Sequence, residues 1–443
     1  MEIVIDEEKN KHSYDFEKDF LAEGGQGAVY KTRDGDVVIK IDSSNDANFK
    51  KKIKNLIYKP LPPYIDIIMP LVALDKKILS DGKSKDINGY VMKMLDNFKP
   101  LNSITSAGAN PSDFTKENIP FFLKEIFEKN DLLACKIAHY SSNGALRAKL
   151  YVLKQIAYIL SYLHLHGMVY CDLSPNNVFI NDEFGVKLID ADNIEYQSRM
   201  QSSVYTPNYE VPEICKGNKN SFYSDIYAFA VLSFYLLTTV YPFQEIESDW
   251  DSEDTTTKKK WEYPWIDDSN NTDGLRGILS TEPLKELFKQ TFEEGKLEPY
   301  KRPFIPLWIK EIEKALNETL KSPTCQMSYY DSYCETCPYC DAKKPKRVII
   351  ESNKKKIFVR EIHDIDSIKV PISIIKDYSL ENINDIAFTI TLEKDKIIIR
   401  KNNVTFKIND QDIRSGYERK ISEFEKGIKL EINGQELSLK VLS

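Results

Sequence analysis

The stretch MVYCDLSPNNVFINDEFGVKLIDAD, residues 168–192, decides how the rest of the chain is read. It sets two carboxylates and an asparagine at fixed intervals: Asp172, then Asn177 five residues on, then Asp190. VFI and VKLI are short apolar runs on either side of the turn NDEFG, which predicts a hairpin. A hairpin brings Asp190, directly after the second strand, beside Asn177, with Asp172 close by. A carboxylate and an amide oxygen are hard ligands suited to Mg²⁺. A second carboxylate can orient a hydroxyl and accept its proton. Phosphoryl transfer asks for little more than positioning, metal charge and that base. Any one of these residues alone reads as a solvated polar side chain; the three at these intervals predict a phosphoryl-transfer site.

YCDLSPNN resembles the HRDLxxxN catalytic loop of protein kinases, and Asp190-Ala191-Asp192 resembles their DFG. The resemblance implies Asp172 as catalytic base and Asn177 and Asp190 as Mg²⁺ ligands. Tyr170 stands for the usual His, Cys171 for Arg, Ser174 for Lys, and Ala191-Asp192 for Phe-Gly. An activation-loop phosphate normally pairs with the arginine that Cys171 replaces. Phosphorylation of Ser202, Ser203, Tyr205 or Thr206 is therefore not expected to be the on-switch, and replacing all four is the test.

Upstream, LAEGGQGAVY has strand residues on both sides of a glycine cluster, whose backbone can approach phosphates closely. A plain hairpin turn has the same pattern, but the segment resembles the kinase loop GxGxxGxV. Gly24, Gly25, Gln26, Gly27 and Val29 are thereby implied in nucleotide binding, with Ala22 in place of the first glycine. VVIK resembles the kinase VAIK, so Lys40 is implied as the residue on the α- and β-phosphates. Its usual partner, a glutamate from the next helix, is missing: NFKKKIKNLIYK has no acidic residue, and no Glu occurs between Glu23 and Glu117. Asp46 and Asp66 are the distant alternatives. The lysine run of this helix otherwise reads as a solvated face. PLPPYIDIIMPLVAL and INGYVMKML complete a small antiparallel sheet. The resemblance makes Met92 the gatekeeper and Lys93, Met94 and Leu95 the hinge against adenine, although Met92 also reads as a core residue.

Downstream of the catalytic loop, VPE at 211–213 resembles the kinase APE. The resemblance gives Asp225 the role of bracing the catalytic loop, and Arg302 that of pairing with Glu213. Before the loop, ALRAKLYVLKQIAYILSYLHLHGMVY has helical apolar spacing, and His164 and His166 read as structural. Residues 244–275, with Trp250, Trp261 and Trp265, read as an exposed polar insertion.

A net charge of −7 offers no overall basic field for nucleic acid. MEIVIDEEKN is not a signal peptide, and the apolar stretch 227–241 is too short to span a bilayer. A cytoplasmic location follows. Four of the seven cysteines cluster as Cys325, Cys334, Cys337 and Cys340, a set that predicts a structural Zn²⁺ site. An iron–sulfur cluster and unliganded thiols are the alternatives, and Lys343, Lys344 and Lys346 would offset the thiolate charge. From Val348 on, short β-branched runs between Asn, Asp, Gly and Lys turns carry an all-β sandwich signature. Its closing pattern loosely resembles forkhead-associated domains, without the Gly-Arg pair or Ser-x-x-His that would hold a phosphate.

The expected architecture is α+β: a bilobal protein-kinase-like fold, then a Cys-rich metal-binding module and an all-β sandwich-like domain. The boundaries are 1–96 for the N-terminal lobe, 97–320 for the C-terminal lobe, 321–346 for the Cys₄ module and 347–443 for the β domain. The catalytic loop and Cys cluster resemble a bacterial group of eukaryotic-like Ser/Thr kinases. The expected activity is ATP- and Mg²⁺-dependent phosphorylation of protein Ser/Thr hydroxyls. The partner would be a protein substrate or signalling protein, docked by the β domain. The missing helix glutamate keeps a nucleotide-binding pseudokinase scaffold as the alternative, and a small-molecule kinase is the third reading.

Overall fold

The computed structural model describes all residues except 25–26, 34, 44–47, 59–60, 63–64, 244–278, 376–384 and 443. Gly25, Gln26, Asp46, Trp250, Trp261 and Trp265 thus lie outside the described residues. The chain divides into two compact units, Met1–Leu101 with Tyr162–Ala228, and Asn102–Ser161 with Phe229–Ser443.

The first unit is built on an eight-stranded antiparallel sheet. Its strands are β1 (Glu2–Asp6), β2 (Lys11–Tyr14), β3 (Phe20–Gly24), β4 (Gly27–Lys31), β5 (Val37–Asp42), β6 (Pro70–Ile78), β7 (Ser84–Asp86) and β8 (Gly89–Lys93). The order is β2-β1-β6-β8-β5-β4-β3, with β7 on β6. Alternating apolar residues bury Val4, Tyr14, Tyr30, Ile39, Leu74 and Val91 in one cluster. β5 lies between β4 and β8, so Val38, Ile39 and Lys40 are all buried. Two glycines press on its backbone. A Cβ at Gly27 (φ +151°) would lie 2.2 Å from the Ile41 carbonyl oxygen, and one at Gly89 (φ +156°) 2.4 Å from that of Lys40. Gly27 therefore has a packing reason beyond any phosphate contact.

Helix α1 (Phe49–Ile57) buries Phe49, Ile53 and Leu56 on one face, the i, i+4, i+7 spacing of an amphipathic helix. Its lysines are not merely solvated. Lys50 pairs with Asp75 at 3.4 Å, Lys52 with Glu195 at 3.1 Å and Lys54 with Glu7 at 3.0 Å.

The hairpin of the opening stretch forms as expected. β9 is Lys99–Pro100, β10 Met168–Val169, β11 Val178–Ile180, β12 Val186–Leu188 and β13 Glu195–Tyr196. β11 and β12 pair Val178 with Leu188 and Ile180 with Val186. Asn181 Oδ1 closes the turn by accepting the amides of Glu183 and Gly185 at 3.1 and 2.7 Å. β9 extends this pair, and β10 pairs with β13.

In the second unit, helix Ile305–Asn317 buries Trp308, which meets Phe229 and Phe288 edge to face at 5.6 and 5.2 Å. Arg302 is buried, and its Nε donates to the Gly295 carbonyl at 2.8 Å. Beyond residue 346 the chain forms a six-stranded and a four-stranded antiparallel sheet. Val348, Ile350 and Phe358 of the first share one apolar cluster with Ile390, Ile397 and Ile399 of the second. The strand Lys355–Glu361 is tied back to the helix Ala145–Leu165. Arg147 grips Glu361 with both terminal nitrogens, at 2.5 and 2.6 Å, and donates from Nε to Thr319 Oγ1 at 2.9 Å. Among the described residues no helix is long and apolar enough to cross a membrane.

Candidate active site

The site is assembled inside the first unit. Lys40 on β5 stands opposite Tyr90 of β8 in the antiparallel register. Its ammonium lies 3.1 Å from Asp190 Oδ1, and 3.2 and 3.1 Å from Oδ1 and Oδ2 of Asp192. The Tyr90 hydroxyl donates to Asp192 Oδ1 at 2.9 Å. Burial alone would pull the Lys40 ammonium down, but the charges of Asp192 and Asp190 outweigh it and hold it above its usual range. Burial, and after it the charge of Asp192, push the Tyr90 phenol far up, so it remains a donor.

The carboxylates that meet Lys40 come from the segment after β12 and not from the helix after its strand. Helix α1 offers no carboxylate, and Asp66 is engaged by Lys187 at 2.7 Å. Asp192, read in sequence only as a departure from the kinase pattern, is the buried carboxylate that meets the Lys40 ammonium with both oxygens. Asp190 itself adopts the left-handed conformation (φ 55°), strain that the surrounding bonds must hold. The Ile189 amide donates to the Asn177 carbonyl at 3.0 Å. The Tyr170 hydroxyl donates to the Ile189 carbonyl at 2.6 Å and reaches the Asn177 carbonyl at 3.3 Å. The tyrosine standing where kinases have histidine thus braces both strands of the hairpin.

Asn177 Nδ2 donates to the Asp172 carbonyl at 2.8 Å and to Asp172 Oδ2 at 3.0 Å. The atom that Asn177 can turn to a cation is then its amide oxygen. Asp172 Oδ1 accepts from Thr206 Oγ1 at 2.7 Å, and that hydroxyl lies 3.2 Å from Ser174 Oγ. Asp225 accepts the amides of Tyr170 and Cys171 at 2.7 and 2.9 Å and meets His164 Nε2 at 3.0 Å. It holds the backbone around Asp172, and His164 is a structural partner. His166 bonds the Tyr162 carbonyl at 2.8 Å and stacks on that ring.

At the other end of the site, Gly24 pairs with Gly27 where β3 meets β4, and Val29 faces Lys40 across the β4–β5 register. Met92 is buried on β8 opposite Val38 and Pro70. Lys93 is exposed and Leu95 half-buried. The Met94 amide donates to the Asp36 carbonyl at 3.1 Å, so this part of the expected hinge is committed to the sheet.

Past Asp192, Glu195 accepts the Ser202 hydroxyl at 2.7 Å and the Gln201 amide at 2.8 Å while pairing with Lys52. Burial raises this carboxyl, but the bonds from Ser202, Gln201 and Lys52 together hold it below its usual range. Thr206 and Ser202 each touch a carboxylate of the site. Replacing all four loop hydroxyls would break these contacts whatever the role of phosphate. Ser203 and Tyr205, which touch neither Asp172 nor Glu195, are the pair that isolates phosphorylation.

Of the four clustered cysteines, the fold gathers three. The sulfurs of Cys325, Cys337 and Cys340 all lie within 4.8 Å of one another, with Cys325 and Cys337 3.6 Å apart. Cys334 is not in the group. Three residues before it, the buried Asp331 pairs with Lys344, Arg347 and Lys356 at 3.2, 3.2 and 2.5 Å. Lys344, expected to offset thiolate charge, is thus a partner of Asp331.

Comparison with known proteins agrees with the geometry. Residues 112–308, less than half of the chain, match the family described as Protein kinase domain. Human protein kinase C delta type is 30% identical over 180 residues, covering 39% of this chain and 26% of that protein. Ribosomal protein S6 kinase 2 alpha of Xenopus laevis is 27% identical over 194 residues, covering 41% of this chain and 26% of that protein. A probable LIM domain-containing serine/threonine-protein kinase of Dictyostelium discoideum is 25% identical over 241 residues, covering 52% and 31%. The chain spans about a quarter to a third of the length of these relatives. The family match begins after Lys40 and the glycine-rich hairpin, so the assignment of those elements stands on the site itself.

Proposed function

We propose that this chain, which carries a protein kinase domain, transfers the γ-phosphoryl group of ATP to Ser/Thr hydroxyls of a protein. One observation carries the reading: a single hydrogen-bonded chain links Asp172 to Asn177, Asn177 to the Ile189 backbone beside Asp190, and Asp190 to Lys40. Asp172 accepts the proton of the substrate hydroxyl as its oxygen bonds to the γ-phosphorus, and the bond to the β-phosphate oxygen breaks to release ADP. Thr206 and Asn177 fix the direction of the Asp172 carboxylate. Lys40 holds the α- and β-phosphates against the β3–β4 hairpin. The residues present fit Mg²⁺: Asp190 is 24% exposed and Asn177 can offer an oxygen, both hard donors. Bound there, the ion would offset charge developing on the transferred group.

The domain boundaries and the sandwich reading of 347–443 belong to this proposal. The two antiparallel sheets and their shared core support the sandwich reading alone, and that region is a protein-contact module. The Cys325, Cys337 and Cys340 group suits Zn²⁺. Tetrahedral Zn–S bonds of about 2.3 Å put sulfurs about 3.8 Å apart, close to the 3.6 Å seen. Freshly purified, unchelated protein is expected to carry one zinc per chain by mass spectrometry; iron in its place, or no metal, overturns the assignment.

The test of the activity is intact-mass analysis after incubation with ATP, with and without Mg²⁺, alone and with a panel of unstructured Ser/Thr peptides. Phosphate additions that need Mg²⁺ are expected. Nucleotide binding without any transfer would instead favour the scaffold reading.

A further inference from the structure

We infer that Asp192 is the positioning carboxylate of Lys40, fixed in turn by Tyr90, in place of a carboxylate from helix α1, which has none to offer. The inference rests on the phosphoryl-transfer reading of the site. Three buried side chains meet directly: both Asp192 oxygens lie on the Lys40 ammonium, and the Tyr90 hydroxyl lies on Asp192. Lys40 and Tyr90 face each other across the β5–β8 register, so the sheet itself sets their spacing.

The two aspartates that touch Lys40 differ in access. The Asp190 side chain is 24% exposed and that of Asp192 5%. Asp190 can turn an oxygen to a cation, while Asp192 is enclosed with the lysine and its phenol. When Asp190 engages metal, Asp192 keeps the ammonium in place. Helix α1 sends its charges elsewhere, Lys50 to Asp75, Lys52 to Glu195 and Lys54 to Glu7. Lys40 is thus anchored by a residue two positions from the metal ligand.

The test uses the full chain with Asp192→Asn, Asp192→Glu, Tyr90→Phe and Lys40→Met, singly and as the Lys40→Met/Asp192→Asn pair. Two readouts are taken: steady-state kcat and KM for ATP, and equilibrium binding of a fluorescent ATP analogue. Misplacing the lysine in Asp192→Asn lowers kcat/KM by about 10²-fold, Asp192→Glu restores most of it, and Tyr90→Phe shows a smaller loss of the same kind. In nucleotide binding, the double variant is no weaker than Lys40→Met alone, because the carboxylate acts only through the lysine. Unchanged kinetics in both Asp192→Asn and Tyr90→Phe, or additive losses in the double variant, overturn the inference. If the native chain transfers no phosphate, the activity reading fails by itself, and the binding cycle still decides whether Asp192 acts through Lys40.

Discussion

Asp172→Asn is expected to lower kcat by about 10²–10⁴-fold, the usual contribution of a positioned general base, with KM for ATP unchanged. The substitution is nearly isosteric, and the surroundings accept it. The Asn oxygen can take the Asn177 Nδ2 bond, and its nitrogen can donate to Thr206 Oγ1, whose hydroxyl is free to rotate about its own bond. The backbone at this point is held independently, by Asp225 on the amides of Tyr170 and Cys171. What disappears is the acceptor for the hydroxyl proton. Lys40, Asp190 and the β3–β4 hairpin are untouched, so ATP is bound as before and the loss falls on the chemical step. A rise in KM for ATP with kcat retained would move Asp172 from the chemistry to nucleotide binding. A variant as active as the native chain would remove it from the site altogether.

The residues that make this prediction possible were legible in sequence for a physical reason. Asp172, Asn177 and Asp190 sit on one short hairpin, where local spacing sets their geometry, and β11 and β12 pair as the apolar runs and the NDEFG turn require. Lys40 was legible because the strand and the glycines beside it leave a local pattern. The partner of Lys40 was not. Its placement depends on which residue of β8 faces β5 and on the left-handed turn at Asp190, neither of which sequence spacing encodes. The same holds for Thr206 on Asp172 and Lys52 on Glu195, contacts between residues 34 and 143 positions apart. In each case the error lies where a long-range ion pair or hydrogen bond overrides a local motif.

The largest stability effect is expected at the other end of the chain, from Arg147→Ala. Arg147 meets Glu361 with two parallel hydrogen bonds, the strongest form of this pair, and the Glu361 side chain is only 10% exposed. Burial alone would raise the Glu361 carboxyl, but the hydrogen bonds and charge of Arg147, then the charge of Arg360, hold it down at about 2. Removing the arginine leaves a carboxylate enclosed without its main counter-charge, which costs about 3–5 kcal/mol in such sites. Linkage gives a comparable figure, since a depression from 4.5 to about 2 corresponds to about 3 kcal/mol. Because the folded pKa lies below the unfolded one, this stabilisation is complete above about pH 4.5 and is lost as pH falls towards 2. Thermal unfolding of native and Arg147→Ala chains should therefore differ most at neutral pH and converge as pH drops below about 4. Glu361→Gln should show the same convergence, since it removes the carboxylate whose titration sets it, and at neutral pH it leaves Arg147 and Arg360 without their shared anion. A difference that stays constant from pH 7 to pH 3 would mean that Arg147 acts through its bonds to Thr319, and that the grip on Glu361 adds nothing to the hold of the second unit on its β strands.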